Sequence, residues 1–189
     1  MPSDQSVDIS ELVCGTEGNI ARITAISGKF AVPCLNEWRY ATKHVALLLK
    51  DPNDTVNRDK AIGHLKRAYF DSSDILLTIL LDGMREVFED VGAYVDVATG
   101  IIPDFASWSS SCTKAQRLQR EPCEDRYLRA REMDEVSSTL IGYLDKANLN
   151  RGNLLAAISR KRRSERLTTI GVIATAVSAI IAVLALFFR

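Results

Sequence analysis

Hydrophobic positions recur at spacings of three and four along most of the chain, the repeat of a helix with one buried face. No stretch sustains the alternation of a strand bounded by turn pairs such as Asn-Gly. The pattern predicts an all-α fold. A short amphipathic helix is expected from Asp8 to Val13, broken by Gly15 and Gly18. A second is expected from Asn19 to Ser27, ending near Gly28. Pro33 suits the first turn of a third, running to Lys50, with Leu35, Trp38, Ala41, Val45 and Leu48 or Leu49 as its apolar positions. Asp51-Pro52 closes it.

Asn53 or Asp54 caps a long fourth helix. Ala61, Leu65, Ala68, Ser72, Ile75 and Ile79 form its stripe. The segment Ile75 to Leu81 is apolar all round, so burial on most sides is expected there. The pattern resumes through Val87, Val91 and Val95, with a bend near Gly83 or Gly92. These helices make an N-terminal part over residues 1–100. Residues 101–121, with Pro103, a serine-rich stretch and an exposed-looking Trp108, read as a loop. Pro122 opens a fifth helix whose seam is Met133, Val136, Leu140, Tyr143 and Ala147. Asn148 to Gly152 marks a break, and a basic juxtamembrane segment closes the stretch 122–166.

One pattern stands apart. Leu167 to Phe188 holds no charged residue. At about 1.5 Å per residue it extends roughly 33 Å, enough for a hydrocarbon core of about 30 Å. Its Leu, Ile, Val and Phe side chains favour insertion by about 4 to 7 kcal/mol, less the cost of Thr and Ser. A single transmembrane helix over 167–188 is therefore expected, in the tail-anchored arrangement. Within it Thr168, Gly171, Thr175, Ser178, Ala182 and Ala185 follow one another at three and four, giving one face of small and hydroxyl residues. Lipid tails provide no hydrophobic drive for association, so close packing through such a face predicts a homo-oligomer, with the hydroxyls lining a path in a pore-forming version.

Charge gives the direction. The chain carries 24 bases and 24 acids, but residues 1–100 are net acidic and residues 101–189 net basic. Arg160, Lys161, Arg162, Arg163 and Arg166 precede the apolar run, and only Arg189 follows it. The positive-inside rule then places the N-terminal mass in the cytosol, with a bacterial inner membrane as the expected location. The acidic beginning, MPSDQSVDISEL, lacks the apolar core of a signal peptide.

Chemistry is sparse. The four cysteines and two histidines show no metal-ligand spacing, and no phosphate loop, HExxH or GxSxG is present. No cofactor, no metal and no enzymatic activity are expected. Lys60, His64 and Arg67 fall on one helical face and could hold a phosphate-bearing ligand. Arg39 to His44 has an Arg-x4-His spacing and Arg58 to His64 an Arg-x5-His spacing. These resemble the motif of the HEPN ribonucleases, which implies a histidine for proton transfer and an arginine for phosphate charge.

In architecture and length the chain resembles small tail-anchored bacterial anti-phage membrane effectors, with a layout similar to the Hailong system effector. That resemblance implies a cytosolic sensing domain joined to an oligomerising membrane helix. It also implies control by a nucleotide or oligonucleotide signal from a partner nucleotidyltransferase. The leading expectation is thus a ligand-gated, pore-forming or depolarising membrane effector. The alternatives are a tail-anchored helical scaffold and a membrane-bound HEPN-like ribonuclease.

Overall fold

A computed structural model describes residues 9–187, with side chains for residues 9–180. The described residues are all-helical: α1 (Ile9–Ser27), α2 (Val32–Leu48), α3 (Thr55–Val91), α4 (Val95–Ile101), a 3-10 turn (Phe105–Ser107), α5 (Trp108–Arg120) and α6 (Arg126–Phe187). They form two compact units. One holds α1, α2, α3 to Val87, α5 and α6 to Asp145; the other holds the end of α3, α4 and α6 from Lys146.

In the first unit α1 is one helix, where two were expected. Leu12, Thr16, Asn19 and Ile23 make a continuous buried face. That burial outweighs the cost of about 1 kcal/mol per helical glycine. Gly15 is where the Tyr69 ring crosses: a Cβ there would sit 2.6 Å from Tyr69 Cε2. Gly28, at φ +67°, ends the helix as the left-handed residue after it, its N–H bonded to Thr24 O at 2.9 Å.

Helix α2 begins beside Pro33, and part of its expected face turns inward: Ala41 is buried and Trp38 and Leu48 are partly buried, while Cys34 is buried in place of Leu35, and Val45 and Leu49 are exposed. Burial pushes the Cys34 thiol up to about 12, with Asp71 adding to the rise.

Asp54 caps α3, its Oδ1 accepting the Asn57 N–H at 3.0 Å. The expected stripe widens as α3 proceeds, to Leu76, Leu77, Leu80, Leu81 and Met84. Helix α3 runs unbroken through Gly83. Leu144 packs against it, 3.3 Å from where a Cβ would stand. The helix ends at Gly92, φ +55°, so Val95 starts a new helix rather than continuing the old one.

The expected loop over 101–121 is largely helical. Trp108, Cys112, Ala115 and Leu118 form a buried stripe on α5, and the serines Ser109 and Ser110 lie on its exposed side. Trp108 is fully buried, stacked on Tyr143 with centroids 4.7 Å apart and planes at 9°. Serine content masked an ordinary amphipathic pattern.

In α6, Asp125 caps the first turn by accepting the Tyr127 N–H at 2.8 Å. The expected seam is present, with Met133, Val136, Leu140 and Ala147 buried and Tyr143 half-buried. The break expected at Asn148 to Gly152 is absent. In the second unit the buried stripe continues through Ala147, Leu154 and Ile158, and Asn150 Nδ2 donates to Lys146 O. Val91, Ala98, Ile102 and Phe105 are the unit's other buried apolar side chains, with Phe88 edge-on to Phe105 at 5.6 Å. Three acids of this unit meet bases of α6: Asp104 with Lys146 at 2.5 Å, Asp90 with Arg151 at 3.0 Å, and Asp96 with Lys161.

Among the described residues no helix is long and apolar enough to cross a membrane. The side chains of residues 181–188, the last eight residues of the expected span, lie outside the described residues.

Candidate functional site

The chain's two histidines come together across α2 and α3. Glu37, Tyr40 and His44 are spaced three and four apart on α2, and Asn57, His64 and Arg67 share a side of α3. His44 and His64 stack with centroids 5.4 Å apart and planes at 9°. Tyr40 packs on His64 at 5.5 Å, and the Arg39 guanidinium lies over Tyr40 at 5.2 Å.

Each ring is held through Nδ1. His64 Nδ1 lies 2.7 Å from Glu37 Oε2, an acceptor, so the ring donates there. Asn57 donates its amide N–H to Asp54 Oδ2 at 2.5 Å, which turns its oxygen toward His44 Nδ1 at 2.6 Å. His44 therefore also donates through Nδ1. In their neutral forms both rings keep Nε2 as the lone-pair nitrogen. Arg67 reaches Glu37 at 3.9 Å.

Of the expected ligand trio, His64 and Arg67 thus converge on Glu37, whereas Lys60 is exposed and joins neither contact. Lys60 acts at longer range on Asp54, whose carboxyl is lowered first by the Asn57 N–H and amide and in small part by Lys60. Glu37, His44 and Asn57 were not among the expected ligand residues. Their signal was the helical spacing of Glu37, Tyr40 and His44, which says nothing by itself about the facing helix.

A buried polar cluster was also invisible in the sequence. Asp134 Oδ1 accepts Asn19 Nδ2 at 3.0 Å and lies 2.8 Å from the Ser73 hydroxyl, while Oδ2 accepts the Tyr69 hydroxyl at 2.7 Å. Burial raises the Tyr69 phenol, and its bond to Asp134 raises it further. Every member is bonded, so the cluster ties α1, α3 and α6 together.

The basic collar is only partly free. Lys161 pairs with Asp96, and Arg162 lies over the Tyr94 ring at 5.7 Å. Arg160 Nε bonds to Ala156 O at 3.4 Å, and Arg163 and Arg166 are exposed. Beyond the collar the small-residue face is uncovered. The Thr168, Thr175 and Ser178 hydroxyls donate to the carbonyls of Ser164, Gly171 and Ala174 at 2.9–3.0 Å. A Cβ at Gly171 would meet nothing. Ala182 and Ala185 lie outside the described side chains. Leu167, Ile170, Val172, Ile173, Val177 and Ile180 are all about half exposed or more.

Among the described residues no three His, Cys, Asp or Glu side chains group to hold a metal. Comparison with protein-family models, curated proteins and solved structures finds no match.

Proposed function

We propose that the chain is a membrane effector. The charge-free end of α6 lies in the bilayer, copies pack through the small-residue face, and the helical mass is a cytosolic control domain for a nucleotide or oligonucleotide signal. The observation that carries this is the uncovered state of residues 167–180. Apolar side chains on every side of α6 are left to a surrounding that is not the protein's own core. Burying a Val, Leu or Ile side chain is worth about 1.5–3 kcal/mol, so leaving Leu167, Ile170, Val172, Ile173, Val177 and Ile180 in water is a cost that lipid removes. The back-bonded hydroxyls fit lipid as well, since their protons are already satisfied within the helix. No catalytic role is assigned in this reading, and Arg67 and His64 serve as ligand contacts.

Expression in bacteria carrying a membrane-potential dye tests it, with the neighbouring gene supplied as a source of signal. The wild type should depolarise the cells, and Gly171→Leu or Ser178→Leu should abolish the effect while leaving the chain in the membrane. A plain scaffold would tolerate both changes.

The histidine pair favours a second reading, a membrane-bound ribonuclease. Two stacked imidazoles, with Arg39 and Arg67 in the same cluster, could take a proton from an attacking hydroxyl and give one to a leaving oxygen. Under this reading His44→Ala or His64→Ala ends the activity and Gly171→Leu does not.

A further inference from the structure

The second unit contains a groove where the basic collar meets the charge-free stretch. It is lined by Tyr94, Arg162, Glu165, Arg166, Thr169 and Ile170 and has a volume of about 510 Å³. We infer that this groove holds the headgroup of an anionic phospholipid, a site that rests on the membrane reading above.

The charges near the groove are already sorted. Lys161 and Asp96 neutralise each other. Glu165 is occupied on one oxygen by the Tyr94 hydroxyl at 3.0 Å. Neither Arg162 nor Arg166 has a carboxylate within salt-bridge reach among the described residues, and Arg162 is held over the Tyr94 ring. The two arginines are one helical turn apart and both line the groove, so one phosphodiester is within reach of both. An arginine stacked on an aromatic ring is pre-oriented for such a contact, unlike a freely rotating surface side chain.

The rest of the lining selects among phosphates. Thr169 donates its proton to Glu165 O, so its hydroxyl oxygen is left as an acceptor. The second Glu165 oxygen is likewise an acceptor, which suits a headgroup hydroxyl and repels a doubly charged terminal phosphate. Ile170, more than half exposed, gives the groove an apolar end. A phosphodiester with a headgroup hydroxyl on one side and an acyl chain on the other describes a glycerol-headed anionic phospholipid, entering from the side on which the charge-free stretch begins.

The test uses the full chain reconstituted into vesicles of equal phosphatidylglycerol and phosphatidylcholine, extracted in detergent, with the retained lipid quantified by mass spectrometry. Wild type should retain phosphatidylglycerol over phosphatidylcholine by on the order of tenfold. Arg162→Gln with Arg166→Gln should lose that enrichment, and Arg162→Lys with Arg166→Lys should keep part of it. Arg160→Gln with Arg163→Gln removes the same charge outside the groove and should keep it. Equal loss in both glutamine pairs would mean diffuse attraction and overturn the site. Competition by millimolar inorganic phosphate would mean a soluble-anion site and overturn the lipid assignment. Failure of the wild type to float with vesicles of either composition would sink the membrane reading itself, and the site with it.

Discussion

At the scale of single residues, the first unit depends on a carboxylate that no sequence pattern marks. Asp134 takes donors from three side chains on two other helices, Asn19, Ser73 and Tyr69. Asp134→Ala takes the acceptor from the Tyr69 hydroxyl, while Asn19 keeps Ser73 Oγ and Ser73 keeps Tyr69 O within bonding distance; a buried unsatisfied donor costs about 1–3 kcal/mol. Urea unfolding should show a loss of about 1–3 kcal/mol, and a loss below about 0.5 kcal/mol would mean that water replaces the carboxylate. Long-range partnerships of this kind are unreadable from spacing, because Asn19 and Asp134 are each ordinary helical polar residues. Gly15 was misread for the same reason. Its local chemistry says break, and only the Tyr69 ring crossing it says close approach. The histidines were partly readable: their spacing from Arg39 and Arg58 is visible, but their stacking is a tertiary fact.

At the scale of elements, period was legible and composition misled. The seam of α6 was readable because Met133, Val136, Leu140 and Ala147 are apolar and regularly placed. The helix α5 was hidden because its buried positions are Trp108, Cys112, Ala115 and Leu118 among serines, a sequence whose composition signals a loop. The break expected at Asn148 to Gly152 failed because ion pairs and the Leu154 and Ile158 contacts hold the helix through it. The Asp96–Lys161 pair gives that hold a pH signature. Its bond to Lys161 lowers the Asp96 carboxyl, and the same bond raises the Lys161 ammonium. A lowered carboxyl stabilises above its unfolded value of 3.8 and is lost as pH falls below it. A raised ammonium stabilises below its unfolded value of 10.5 and is lost as pH rises above it. Asp96→Asn should therefore lower Tm between these limits, and the difference from wild type should shrink in acid and in strong base. A pH-independent difference would show that the substitution acts through something other than the charge.

At the scale of the whole molecule, the all-α class was legible throughout and the membrane assignment rests on the end of α6. That helix belongs to both units and carries the collar, the groove and the uncovered apolar stretch. If the stretch lies in lipid and self-associates, its two sides differ. Gly171 and Ser178 lie on the contact side, and Ile173 and Ile180 lie opposite, toward lipid. The direct measurement is disulfide cross-linking in native membranes of chains whose own cysteines have been replaced and which carry one new cysteine each. Gly171→Cys and Ser178→Cys should form dimers on mild oxidation, Ile173→Cys and Ile180→Cys should not, and all four should resist alkaline extraction. Equal cross-linking on both sides, or release of the chain by alkali, would contradict the account.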